Sequence, residues 1–215
     1  MKNQHHLSQG SREKAFELSY KLACEQLSKI RDIEEQCRKS GTIYVSPSKI
    51  IIDYLNKAYH ISLPEAEVSL EDSKTEVPIK DKILILHYFT SAKGTPPTGI
   101  FINYKQLPGG LSYFPAFSQR AINPFVKHFG QKPDLIVDLS TKLGGYKADQ
   151  GDVSVIVNAF NHVPITLALW RGDEEFSPSG VILFDANISD YLSTEDITVI
   201  CETIVWKLVK SIPPT

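Results

Sequence analysis

His87 lies inside the run Leu84-Ile85-Leu86-His87-Tyr88-Phe89, where an imidazole among apolar side chains must find partners for two ring nitrogens. The chemistry open to it is proton transfer, ligation of iron or cobalt, or a hydrogen bond to a carbonyl or tyrosine oxygen. Tyr88 sets a ring beside it. Further along, Tyr113-Phe114-Pro115-Ala116-Phe117 is followed by Arg120, seven residues after Tyr113 and three after Phe117. Helical spacing puts that cation and the two rings on one face, which suits a planar or anionic ligand. The same pattern describes a helix packing its aromatic side on a sheet, with Arg120 bridging a carboxylate.

The densest polar feature is Trp170-Arg171-Gly172-Asp173-Glu174-Glu175-Phe176. Three consecutive acids on an extended chain diverge, and calcium loops space their oxygens at alternating positions, so a metal cage is not expected. Arg171 with Asp173 or Glu174 could form a polar rim over an aromatic floor at Trp170, as in ligand clefts. The alternative is a solvated hairpin turn anchored by Trp170 and Phe176, with Arg171 pairing one acid. Asp185, directly after Val181-Ile182-Leu183-Phe184, stands at a strand end where either role is open.

Several chemistries have no support. Leu107-Pro108-Gly109-Gly110 and Leu143-Gly144-Gly145-Tyr146 match neither phosphate-binding glycine pattern, and no nucleophile elbow or H-E-x-x-H pair occurs. Cys24, Cys37 and Cys201 are too few and too scattered for an iron–sulfur cluster or a four-Cys zinc site, and fit a reducing compartment. Lys+Arg 23 against Asp+Glu 25 gives a net charge of −2, without the basic excess that nucleic-acid binding needs. No apolar run approaches a membrane span and residues 1–10 lack a signal-peptide core, so a cytoplasmic location is expected.

The elements that would position these groups read as α+β: an antiparallel sheet packed with several helices. After a flexible stretch at 1–10, residues 11–40 carry no Gly or Pro and repeat Phe16, Tyr20, Ala23, Leu27 and Ile30, which predicts one long amphipathic helix ending at Gly41. Short strands follow over 42–45, 49–55 and 58–63, then a weak strand and loop over 68–78. A buried helix is predicted over 79–93 and a short alternating segment over 99–104. Two helices then span about 113–129, kinked at Asn123-Pro124, and 133–145. Apolar runs at 153–159, 165–170 and 181–184 predict an antiparallel meander, and Ser193-Thr194-Glu195-Asp196 caps a closing helix. No linker divides 11–215, so one domain is expected.

The ordered set Leu84–Phe89, Gly99–Tyr104, Tyr113–Ala121, Trp170–Phe176, Leu183-Phe184-Asp185 and Tyr191-Leu192 resembles the family called domain of unknown function 3786. The resemblance covers residues from about 42 to the C-terminal helix. Some members are described as iron–sulfur proteins; longer relatives carry a cysteine-rich module similar to that of corrinoid iron–sulfur proteins and occur in anaerobic bacteria and archaea. Here the N-terminus is a cysteine-poor helix, so the cluster does not carry over. A corrinoid or related tetrapyrrole context does.

The leading expectation is therefore a non-catalytic ligand-binding or accessory domain. Its pocket would be lined by His87, Tyr88, the Tyr113/Phe117/Arg120 face and the turn bearing Trp170, Arg171, Asp173 and Glu174. A corrinoid or haem is the sharpest ligand, with His87 as axial ligand. The rivals are a protein-interaction module, in which the aromatic patches are partner surface, and an enzyme using His87 with Asp173 or Glu174.

Overall fold

The computed structural model describes residues 9–213 except 46, 72 and 74. Most of the stretch expected to be flexible, 1–8, lies outside the described residues, and residues 9 and 10 already belong to the first helix.

The α+β class holds, but the strands divide between two antiparallel sheets. The first is a simple meander of β1 (Ile43–Val45), β2 (Lys49–Tyr54), β3 (Lys57–Ser62) and β4 (Glu67–Leu70). The second has the order β5-β9-β8-β7-β6 and comprises β5 (Phe101–Asn103), β6 (Tyr146–Ala148), β7 (Val153–Phe160), β8 (Val163–Trp170) and β9 (Ser179–Asp185). Residues that pair across β7, β8 and β9, such as Val155, Leu167 and Ile182, are buried together on one face, as period-two alternation requires. The Leu55 N–H donates to the Ala159 carbonyl at 3.1 Å, tying the hairpin turn of the first sheet to β7.

The single helix expected over 11–40 is in fact two, α1 (Gln9–Ser28) and α2 (Ile33–Ser40). Absence of Gly and Pro does not guarantee continuity. Asp32 leaves the helical region and accepts a hydrogen bond from the Glu35 N–H at 2.8 Å, while Glu34 and Glu35 supply first-turn acids. Gly41 closes α2 in the left-handed region at φ 66°, donating to the Arg38 and Cys37 carbonyls.

The buried helix α3 (Ile79–Ser91) packs on α1, α2 and α7 (Thr194–Lys210), and Ile85, Leu86, Tyr88 and Phe89 are fully enclosed. Between β5 and β6 the chain forms α4 (Gly110–Phe117), a π-helical turn at Ser118–Ile122, α5 (Asn123–Phe129) and α6 (Leu135–Ser140). The interruption expected at Asn123-Pro124 is this π turn, directly before a proline that cannot donate to the helix ladder. A capping box opens α7: Ser193 Oγ accepts from the Asp196 N–H at 3.1 Å, and Asp196 Oδ2 accepts from Ser193 Oγ at 2.6 Å.

Candidate functional site

Asp196 is the residue on which the site is built. As the third residue of α7 it faces back toward the cap, and this leaves Oδ1 free to meet α3. There it lies 2.8 Å from His87 Nδ1, across 109 residues of sequence. Asp196 is buried and about a third of the His87 side chain is accessible. The result is a hydrogen-bonded chain, Ser193–Asp196–His87. The bond to Asp196 raises the His87 pKa above its ordinary value, assisted by the carboxylate charge and opposed by burial. Because a carboxylate only accepts, Nδ1 is assigned as the donor to Asp196, and Nε2 makes no hydrogen bond to a described residue.

His87 opens onto a hollow of about 240 Å³ between three helices. Ala15, Phe16 and Ser19 from α1 form one wall, Lys80, Ile83 and Leu84 from α3 another, and Glu195, Asp196 and Val199 from α7 the third. Five of the ten lining residues are apolar, Ala15, Phe16, Ile83, Leu84 and Val199, and five are polar. Both acids are already engaged, Asp196 by His87 and Ser193, and Glu195 by Arg120 Nη1 at 2.8 Å. Lys80 Nζ stands 5.3 Å from the Phe16 ring centroid and forms no ion pair with a described residue. The hollow thus offers apolar surface together with two nitrogen groups, the Lys80 ammonium over the Phe16 ring and the second nitrogen of the Asp196-paired His87.

The sequence candidates separate into distinct neighbourhoods. Tyr88 is turned from the hollow into the core, stacked on Phe160 at 4.1 Å between ring centroids and donating to the Ser40 carbonyl at 2.7 Å. Phe117 is fully buried and stacked on Tyr104 at 3.9 Å. Tyr113, in the same helix, is 61% exposed, so the two rings do not share one face. Arg120, carried on the π turn, bridges Glu195 and Glu202 of α7, as the packing alternative anticipated. It therefore adjoins the His87 hollow from behind Glu195.

The Trp170–Phe176 turn is elsewhere. Arg171 Nη2 meets both oxygens of Asp134 at 2.8 Å rather than an acid of its own turn. Asp173 Oδ1 accepts from the N–H groups of Glu175 and Phe176 at 2.8 and 2.7 Å, which holds its carboxyl below the usual range. Glu174 lines a separate shallow hollow with Gln131 and Phe176, and Trp170 ends β8, 40% exposed. An acid–base pair of His87 with Asp173 or Glu174 does not form; Asp196 holds that position. Asp185 proves architectural: burial works against its charge, but N–H groups of Asn187, Thr98 and Gly99 outweigh burial and hold its pKa low.

Asp196, Lys80 and Glu195 were not singled out as site residues from sequence. Asp196 and Glu195 read as ordinary first-turn acids, and no local spacing links α7 to α3. His87 has the features of an axial metal ligand, one ring nitrogen fixed by a carboxylate and the other free. With α1 in place the hollow is about 240 Å³, below the roughly 300–1,000 Å³ of clefts that hold drug-sized ligands. Among the described residues no group of three His, Cys, Asp or Glu is placed to hold a metal ion.

No helix among the described residues is long and apolar enough to cross a membrane. No curated protein and no solved structure matches the chain. The family model described as Domain of unknown function (DUF3786) matches residues 32–207, which takes in every element from α2 to most of α7 and leaves out α1, one wall of the His87 hollow. On that match the chain belongs to the DUF3786 family.

Proposed function

We propose that the chain is a ligand-binding domain whose ligand is a small organic acid held between α1, α3 and α7. The carboxylate meets His87 Nε2 and Lys80, and the apolar body lies against Phe16, Ile83, Leu84 and Val199. The observation that carries this reading is that both acids lining the hollow have partners, Asp196 in Ser193 and His87 Nδ1 and Glu195 in Arg120, while Lys80 has no carboxylate partner among the described residues and His87 Nε2 no hydrogen bond. Asp196 raises the His87 pKa and pairs with the charge it favours, so Lys80 supplies the positive charge for the ligand's head and His87, when protonated, a hydrogen-bond donor. A cavity of about 150 Å³ suffices for benzene and drug-sized clefts run to roughly 300–1,000 Å³, so about 240 Å³ suits an aryl or short-chain acid.

The test is thermal unfolding with octanoate, benzoate, cobalamin and haem, using the whole chain and its His87→Gln variant. At a hundredfold excess over the dissociation constant, a bound acid stabilises by about 2.7 kcal/mol. A rise in Tm with either acid, absent in the variant, supports the reading. No rise with either acid, or the same rise in both proteins, overturns it. A response confined to cobalamin or haem would instead favour the tetrapyrrole reading, with α1 displaced.

A further inference from the structure

In the first sheet Ile50, Ile52 and Ile61 point into the core, so the residues that alternate with them form an outer face. The register sets Ile43, Ile51, His60 and Ser69 side by side on that face, in one row across β1 to β4. Both ring nitrogens of His60 are engaged there. Nε2 lies 2.8 Å from Ser69 Oγ, and Nδ1 lies 3.0 Å from Oε2 of Glu71, the residue just past β4. Glu71 Oε1 accepts from Lys49 Nζ at 2.6 Å, and this bond holds the Glu71 carboxyl below its usual range.

One constraint fixes the direction of this chain of hydrogen bonds. An ionised carboxylate only accepts, so Nδ1 is assigned as the donor to Glu71. In the neutral imidazole Nε2 is then the acceptor, and the Ser69 hydroxyl donates to it. The order is nucleophile, base and carboxylate, with the base in the tautomer that can take the hydroxyl proton. The Glu71 N–H donates to the Ala58 carbonyl at 3.0 Å, so the alternating ladder turns the Ser69 backbone toward β3 and the Leu70 N–H away from it. Because β4 ends its sheet, that N–H, one residue after the hydroxyl, faces the open edge. On the far side of His60, Ile51 is half-buried and Ile43 is 62% exposed, which gives an apolar strip beside the imidazole.

We propose that Ser69, His60 and Glu71 form a second site, an acyl-transfer centre that hydrolyses small carboxylic esters of an apolar alcohol. Ser69 Oγ bonds to the ester carbonyl carbon as its proton passes to His60 Nε2, and the carbonyl electron pair collects on oxygen at the Leu70 N–H. Return of that pair breaks the bond to the alcohol, which lies over Ile51 and Ile43 and leaves with the proton from His60. Water then attacks the acylated Ser69 by the same steps, releasing the acid and restoring the hydroxyl. Glu71 stays ionised throughout. It is a positioning residue, keeping the proton on Nδ1 so that Nε2 can accept.

The experiment treats the full chain with a fluorophosphonate, from which a serine oxygen displaces fluoride, and maps the modified residue by mass spectrometry. Hydrolysis of 4-nitrophenyl butyrate is followed in parallel. Ser69 should carry the phosphonyl group, and Ser69→Ala and His60→Gln should each slow butyrate hydrolysis about tenfold or more. Glu71→Gln should slow the labelling of Ser69 and move the His60 ring ¹⁵N resonances away from the Nδ1–H tautomer that the parent shows. An unlabelled Ser69 in the parent, equal labelling of Ser69 in His60→Gln, or equal hydrolysis by parent and variants would overturn the proposal. The result for the parent stands whether or not a variant folds, and it is independent of the His87 hollow, whose test reads thermal shifts with free acids.

Discussion

His87 with Asp196 and the turn from Arg171 to Phe176 are both conspicuous in the sequence, one as a histidine in an apolar run, the other as the densest stretch of charge. In the fold they are opposites. His87 spends one nitrogen on a buried carboxylate from a distant helix and keeps the other facing a hollow. The turn spends Asp173 on its own backbone and Arg171 on an exposed partner, Asp134. A charge satisfied within its own turn is architecture. One fixed by a distant element, with capacity left over, is where recognition can occur.

The comparison can be pressed by substitution. Phe117→Ala should be the most damaging, about 3–5 kcal/mol, because the ring is fully buried against Tyr104 in the layer that carries Arg120 to α7; chemical denaturation measures it. Asp196→Ala should cost about 2–3 kcal/mol, since it removes half of a capping box and the partner of His87 together. A loss no larger than that of an exposed acid would dissolve the contrast drawn above.

His87 gives a pH signature. Its folded pKa is raised, so its contribution is fully present below the unfolded value near 6.5 and is lost as pH climbs through the folded value. Stability measured from pH 5 to 9 should therefore fall over that window, and His87→Gln should flatten the fall. At the small end, Arg171→Ala should leave the melting temperature unchanged within error, because the pair with Asp134 is solvent-screened at the surface. A clear drop there would mean that the turn is more than a local structure.

Much of the fold was legible. Periodicity located α3 and the β7–β9 meander, and the Ser193-Thr194-Glu195-Asp196 signature located the start of α7. The break between α1 and α2 was missed because only Gly and Pro were read as punctuation, although Asp32 followed three residues later by Glu35 is itself a helix-start pattern. The division into two sheets was not legible, since strand character says nothing about which strands pair. The site was half legible. His87 announced itself by type, but Asp196 could be found only through contacts between residues 109 apart. The helical face expected at Tyr113, Phe117 and Arg120 failed twice: within α4 Phe117 is buried while Tyr113 is exposed, and the π turn moves Arg120 out of α-helical phase with both.

The central claim is that His87, with Nδ1 held by Asp196, donates from its second nitrogen when protonated to an acid in the three-helix hollow. It is tested most directly by an NMR titration of the His87 ring from pH 5 to 9, with and without saturating octanoate or benzoate. The account predicts that the bound acid raises the His87 pKa further and moves its ring resonances, with affinity declining as pH rises past that value. A His87 titration curve identical in the presence and absence of both acids would contradict it.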